Sequence, residues 1–228
     1  MSLCLHQTWA EIKIECPLEK IMRQTLFALT LAAVAFSGPA FAQTTTTPAP
    51  QTTPNSPANT VNDRRENQQD RIANGVQSGQ LTAGETKNVE GREANLNREI
   101  HADRSADGGK LTARERKQVN NQQNNLSKSI YTDKHNASVA HYGNNEIGQR
   151  RENQQDRIAQ GIRSGQMTAG ETARTENREQ GINQQDRADR AADGGKLTGQ
   201  DKAQLNKQLN ATSRQIYRQK HNAAKAPR

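Results

Sequence analysis

Cysteine and aromatic residues are nearly missing from most of this chain, and the few it has are crowded at one end. Cys4, Cys16, Trp9, Phe27, Phe36 and Phe41 all precede Gln43, after which the only aromatic residues are Tyr131, Tyr142 and Tyr217. A disulfide framework, a thiolate metal site and a cysteine nucleophile are therefore excluded for residues 43–228. The scarcity of rings also weighs against base-stacking platforms for nucleic acid. No apolar run reaches the roughly 20 residues a transmembrane helix needs, the longest being Leu26–Phe36. Glycine-rich phosphate loops, nucleophile motifs and acid pairs in apolar settings are likewise absent, so the reading is a non-enzymatic protein without a cofactor.

Residues 1–42 read as an N-terminal extension plus a secretory signal peptide. Met22-Arg23-Gln24-Thr25 is the basic start, Leu26–Phe36 the apolar run, and Ala40-Phe41-Ala42 the small-x-small cleavage site. The expectation is translation from Met22, cleavage after Ala42, and a periplasmic or secreted product. Because no cysteine follows the cleavage site, lipoprotein acylation is excluded there. Residues 43–61 are rich in Thr and Pro, with prolines at 48, 50, 54 and 57, and are expected to form a disordered or polyproline-like spacer.

What is abundant is repetition. Residues 64–137 return as residues 150–223 at a constant offset of 86, with 44 of the 74 positions identical. Within each copy a second motif recurs after 30 residues: Gly79-Gln80-Leu81-Thr82-Ala83-Gly84-Glu85 is answered by Gly109-Lys110-Leu111-Thr112-Ala113-Arg114-Glu115. The other copy carries Met167-Thr168-Ala169-Gly170-Glu171 and Leu197-Thr198-Gly199-Gln200-Asp201. Threonine followed three residues later by an acid is a capping box: the hydroxyl accepts from the N3 amide and the carboxylate accepts from the threonine amide. Thr82, Thr112, Thr168 and Thr198, with Glu85, Glu115, Glu171 and Asp201, are thus assigned to helix starts, and the preceding glycine to the end of the helix before.

Four such corners define an all-α chain of two tandem three-helix units. Apolar spacing places helices near 63–77, 83–105, 113–134, 147–163, 169–191 and 199–221. The expected layout is unit 1 over 62–137, a joint over 138–146, unit 2 over 147–223 and a basic tail over 224–228. The first helix is expected to be capped by Asn62 or Asp63. The expected core of unit 1 comprises Ile72, Val76, Leu81, Val89, Leu96, Ile100, Leu111, Val119, Leu126, Ile130 and Tyr131. Unit 2 is thinner, with Thr175 and Asp186 where unit 1 has Val89 and Ile100. So small a core predicts marginal stability and stabilisation by self-association or a partner.

The net charge is +8, which favours an anionic envelope partner or an acidic protein. The signs are interspersed at helical spacings, as at Glu93, Asn97, Arg98 and at Asp186, Arg187, Asp189, Arg190, and predict solvated faces with intrahelical ion pairs. Nucleic acid is disfavoured by export and by the absence of a clean basic stripe. The Lys134-His135 and Lys220-His221 pairs predict complements to a helix dipole rather than metal ligands.

Two resemblances attach to the corners. With Gly109, Leu111 and Glu115, Gly79, Leu81 and Glu85, or Gly195, Leu197 and Asp201 set in register, the corners resemble bacterial EF-hand loops. That likeness implies a calcium- or divalent-metal-responsive module with Glu85, Glu115, Glu171 and Asp201 as candidate ligands. It departs at the first, third and fifth loop positions, occupied by Asn74, Val76, Ser78 and by Arg104, Ala106, Gly108. The series Leu81-Thr82-x-x-Glu85, Leu111-Thr112-x-x-Glu115, Met167-Thr168-x-x-Glu171 and Leu197-Thr198-x-x-Asp201 resembles the Leu-Thr-x-x-Gln repeats of periplasmic stress chaperones of the Spy and CpxP type. An acid replaces the glutamine each time. This second likeness implies weak, ATP-independent holding of unfolded clients. The leading expectation is an exported helical interaction protein, chaperone-like or envelope-associated, acting through a basic surface; a metal-responsive module and a structural spacer are the alternatives.

Overall fold

The computed structural model describes residues 60–227, so the expected signal peptide and most of the expected spacer lie outside the described residues. Among the described residues there are six α-helices and no strand: α1 Val61–Gln77, α2 Ala83–Ala106, α3 Ala113–Lys134, α4 Glu146–Arg163, α5 Ala169–Ala192 and α6 Gly199–Lys220. Helix α1 starts earlier than expected. Thr60 Oγ1 accepts from the Asp63 amide at 3.2 Å and Asp63 Oδ2 accepts from the Thr60 amide at 2.9 Å. The cap is thus Thr60, not Asn62 or Asp63, and Val61 belongs to the helix and its packing instead of the spacer.

Local chemistry sets the corners. At Gly79, Gly109, Gly165 and Gly195 the chain turns through positive φ of 71°, 90°, 66° and 88°, a conformation that costs a residue with a Cβ. The next helix then starts at a threonine with extended backbone.

Packing departs from two self-contained bundles. α3 lies against both α1 and α2, and α6 against both α4 and α5, but α1 and α2 scarcely touch. The most extensive contact in the molecule is α2 on α5, followed by α1 on α4. Each of these helices packs on the helix 86 positions away, and the contacts are reciprocal, as in an isologous interface. A Cβ at Gly84 would lie 3.0 Å from Gln180, and one at Gly170 would lie 3.8 Å from Ala94. The Ala140 amide donates to Gly79 O at 2.8 Å and the Ala226 amide to Gly165 O at 3.0 Å. Residues 224–227 return to the α4–α5 corner as the joint returns to the α1–α2 corner.

One buried apolar cluster draws on both copies, joining Ile72, Val76, Leu81, Val89, Leu126 and Ile130 to Ile158, Ile162, Met167 and Ile216. Two smaller clusters flank it, one around Leu96, Ile100, Leu111 and Val119, the other around Ile147, Ile182, Leu205 and Leu209. Ten of the eleven expected core residues of unit 1 are buried. The exception is Tyr131, 61% exposed, because it follows Ile130 by one position and so points about 100° away around α3.

Many Asn, Gln and Arg side chains that look solvated in sequence instead latch helices together. Arg64, Gln68 and Arg71 line one face of α1 and meet Asn120, Asn124, Ser127 and the backbone of α3. Gln68 Nε2 donates to Gln123 O at 2.7 Å, inside the protein, and to half-buried Ser127 Oγ at 2.9 Å. Arg150, Gln154 and Arg157 do the same on α6 through Asn206, Asn210, Ser213 and Leu209 O. Gln68→Ala is expected to cost about 2 kcal/mol, because it removes two interhelical hydrogen bonds and opens a void. Urea denaturation followed by circular dichroism measures this; an unchanged midpoint contradicts it.

Candidate functional site

The corner acids are used locally. Glu85 Oε2 accepts from the Thr82 amide at 2.9 Å and the Thr82 hydroxyl at 2.7 Å, and its Oε1 accepts from Asn136 Nδ2 at 2.7 Å. Glu171 repeats the pattern with the Thr168 amide at 3.0 Å, the Thr168 hydroxyl at 2.8 Å and Asn222 Nδ2 at 2.6 Å. Glu115 accepts from the Thr112 amide at 2.7 Å and Asp201 from the Thr198 amide at 2.9 Å. The Thr112 amide holds Glu115 below the ordinary carboxylate range, and the Thr198 hydroxyl and amide do so for Asp201. Among the described residues no group of three or more His, Cys, Asp or Glu is arranged to hold a metal ion. His135 and His221 instead close α3 and α6. Each Nδ1 donates at 2.7 Å to the carbonyl of a tyrosine one turn back, Tyr131 or Tyr217, and stacks on that ring at 4.1 or 4.2 Å between centroids.

The unexpected feature lies where α2 and α5 cross. Glu90, Glu93, Glu176 and Glu179 are all buried there, none more than 1% exposed, together with Arg65 from α1 and Arg151 from α4. Glu93 was expected on a solvated face. The structure buries it because it fills the position four residues after Val89 and three before Leu96, in the middle of the apolar stripe of α2. Arg65 Nε contacts Glu93 Oε1 at 3.4 Å. Gln69 Nε2 donates to Glu90 Oε2 at 3.3 Å, and Gln155 Nε2 to Glu176 Oε2 at 3.1 Å. The two halves then diverge: Arg151 lies 4.0 Å from Asp186, which stands where the first copy has Ile100, and 5.4 Å from the centre of the Tyr142 ring.

Four carboxyls against two guanidiniums leave an excess of negative charge in a low-dielectric seam if all are ionised. The hydrogen bonding leans the same way. Each of the four glutamates has one buried oxygen with no donor, and so do Gln69 and Gln155. A proton on a carboxyl turns an acceptor into a donor and meets this shortage. Burial, then the charge of Glu93, pushes Glu90 up to about 8 against the hydrogen bond from Gln69. Burial raises Glu179 to about 7 against the pull of Arg151, and raises Glu176 with added repulsion from Glu179 and Glu90. Burial also raises Glu93, opposed by Arg65. The seam is built to hold protons near neutrality.

Beside the seam the α5 corner forms an open groove of about 630 Å³, edged by Arg98, His101, Thr168, Gly170, Arg174 and Lys225. A second groove of about 400 Å³ shares Asn97, His101 and Pro227 with it and adds Arg65 and Arg104. No acid lines either one. No family model, curated protein or solved structure matches this chain.

Sequence reasoning passed over the seam, although a signal was present. Glu90-Gly91-Arg92-Glu93 and Glu176-Asn177-Arg178-Glu179 repeat a Glu-x-x-Glu spacing in both copies, and one of its members interrupts an apolar stripe.

Proposed function

We propose that this chain is an exported, non-enzymatic helical interaction protein that binds an anionic partner through its basic surface. The observation that supports this reading most strongly is how the cations are partnered. Residues 60–227 hold 28 Lys and Arg against 21 Asp and Glu. Yet among the described residues the ion pairs involve only Arg65, Arg151 and Arg190, and Asp186–Arg190 is the only one made within a helix. The intrahelical pairing expected from the interspersed signs is largely not made. Other cations bond neutral acceptors, as Arg163 does with Asn74 and Gln77, Lys87 with Gln180, and Arg92 with Ser129. A neutral acceptor satisfies a guanidinium without cancelling its charge, so the surface stays positive.

A chaperone-like version of this reading has less to grip with. The large apolar side chains exposed among the described residues are Tyr131, Val139 and Tyr217. The test is binding to a carboxylate polymer such as polyglutamate over a salt series, with suppression of aggregation of a denatured client measured alongside a charge-matched basic control. Polymer affinity that falls steeply with salt is expected. Absence of binding at low salt overturns the anionic-partner reading, and client protection no better than the control removes the chaperone version.

A further inference from the structure

The groove at the α5 corner has a counterpart at the α2 corner, built on the same scaffold. The counterpart, about 390 Å³, is edged by Thr82, Gly84, Val139, Gln180, Gln184 and Arg187. At matched positions Arg98 corresponds to Gln184, Arg174 to Asn88, and Lys225 to Val139. Three neutral positions around the α2 groove are thus three cations around the α5 groove, and at a fourth Arg187 of the α2 groove matches His101 of the α5 groove, while the threonine, alanine and glycine that open the helix are the same in both. Arg174 is placed for this: a Cβ on Gly170 would lie 3.7 Å from its Nη1, so the guanidinium hangs over the first turn of α5. That turn leaves the amides of Ala169 and Gly170 without intrahelical acceptors. Arg174, Lys225 and His101 form no ion pair among the described residues.

We propose that the α5 groove is a binding site for an anion bearing at least two phosphoryl groups, an inference that rests on the anionic-partner reading above. One phosphoryl group sits among Arg98, Arg174 and Lys225 against the first turn of α5. The adjoining groove takes the second beside His101 and Arg104. Glycine at 170 keeps the helix start open to close approach, and guanidinium forks match phosphoryl oxygens in geometry. The ligand chemistry is shared by free polyphosphorylated solutes and by phospholipid headgroups.

Two probes separate those sources: inorganic tripolyphosphate, followed by titration calorimetry on the full chain, and phosphatidylcholine vesicles with and without phosphatidylglycerol, followed by co-sedimentation. The decisive variant is Arg98→Gln/Arg174→Asn/Lys225→Val, which gives the groove the residues its counterpart already carries. The control is Arg114→Gln/Lys117→Ala/Lys207→Asn, which removes the same charge at exposed sites by the same kind of exchange. Circular dichroism checks that both keep their helices. At least about a tenfold loss of affinity is expected in the groove variant and less than about threefold in the control. Tripolyphosphate binding alone names a solute, and binding to the anionic vesicles alone names a headgroup. Equal losses in the two variants overturn the groove. A native chain that binds polyglutamate but neither phosphate probe also overturns it, while leaving the broader reading standing.

Discussion

Gly148→Ala is expected to lower the unfolding free energy by about 3 kcal/mol, although alanine is the better helix former. Gly148 lies in the first turn of α4, its amide donating to the Asn145 cap at 3.0 Å. A Cβ there would come within 1.8 Å of Tyr142 O and 2.4 Å of Gly143 O. Both obstacles are backbone, so no side-chain rotation relieves them, and the joint must move. Moving it dislodges Tyr142 from its place 5.4 Å from the guanidinium of Arg151, beside the seam. Gly181→Ala serves as the opposite case, because nothing lies within 4 Å of a Cβ at that helical position. It is expected to stabilise the protein by up to about 1 kcal/mol. Chemical denaturation of the two variants tests the pair, and equal shifts of the same sign contradict the tight approach of the joint.

The second large effect is a stability that rises as the solution is acidified from mildly alkaline pH. Glu90 titrates at about 8 in the fold against an ordinary value of 4.5. Its contribution is therefore fully present below about pH 4.5 and is lost as pH rises through 8. For Glu90 alone the loss is on the order of 5 kcal/mol, and Glu179, at about 7, adds a loss that is complete earlier in the rise. The groups that face them are Arg65 and Gln69 from α1, Arg151 and Gln155 from α4, and Tyr142 from the joint. The acid limit is set elsewhere: Asp63, Glu115 and Asp201 are held down by helix caps and release stability as pH falls through their lowered values. Glu90→Gln imitates the protonated form and keeps the acceptor that Gln69 uses. It should raise the melting temperature at pH 8 and flatten the slope between pH 5 and 8, as thermal scans would show. A melting temperature that climbs with pH across that range refutes a proton-holding seam.

The corners were readable in the sequence because a capping box is a chemical statement made within four residues, and the helices because apolar side chains recur every third or fourth position. Val89, Leu96, Ile100 and their neighbours went to the interior for that reason. Other features needed three dimensions. Gln68 and Gln154 look like surface residues until their partners, 55 positions away in sequence, are seen to be backbone carbonyls. Glu93 looks like one half of a surface charge pattern because a stripe is drawn through apolar residues and a carboxylate is placed outside it by habit. The sharing of one core by both copies was out of reach, since a repeat in sequence does not say whether its copies pack beside each other or into each other.

That sharing bears on the order of events as the chain is made. Ile72 from the first helix and Ile216 from the sixth belong to the same buried cluster. α1–α3, emerging from the ribosome first, carry only part of the interior they will later enclose. The largest buried cluster is complete only once the sixth helix has been made.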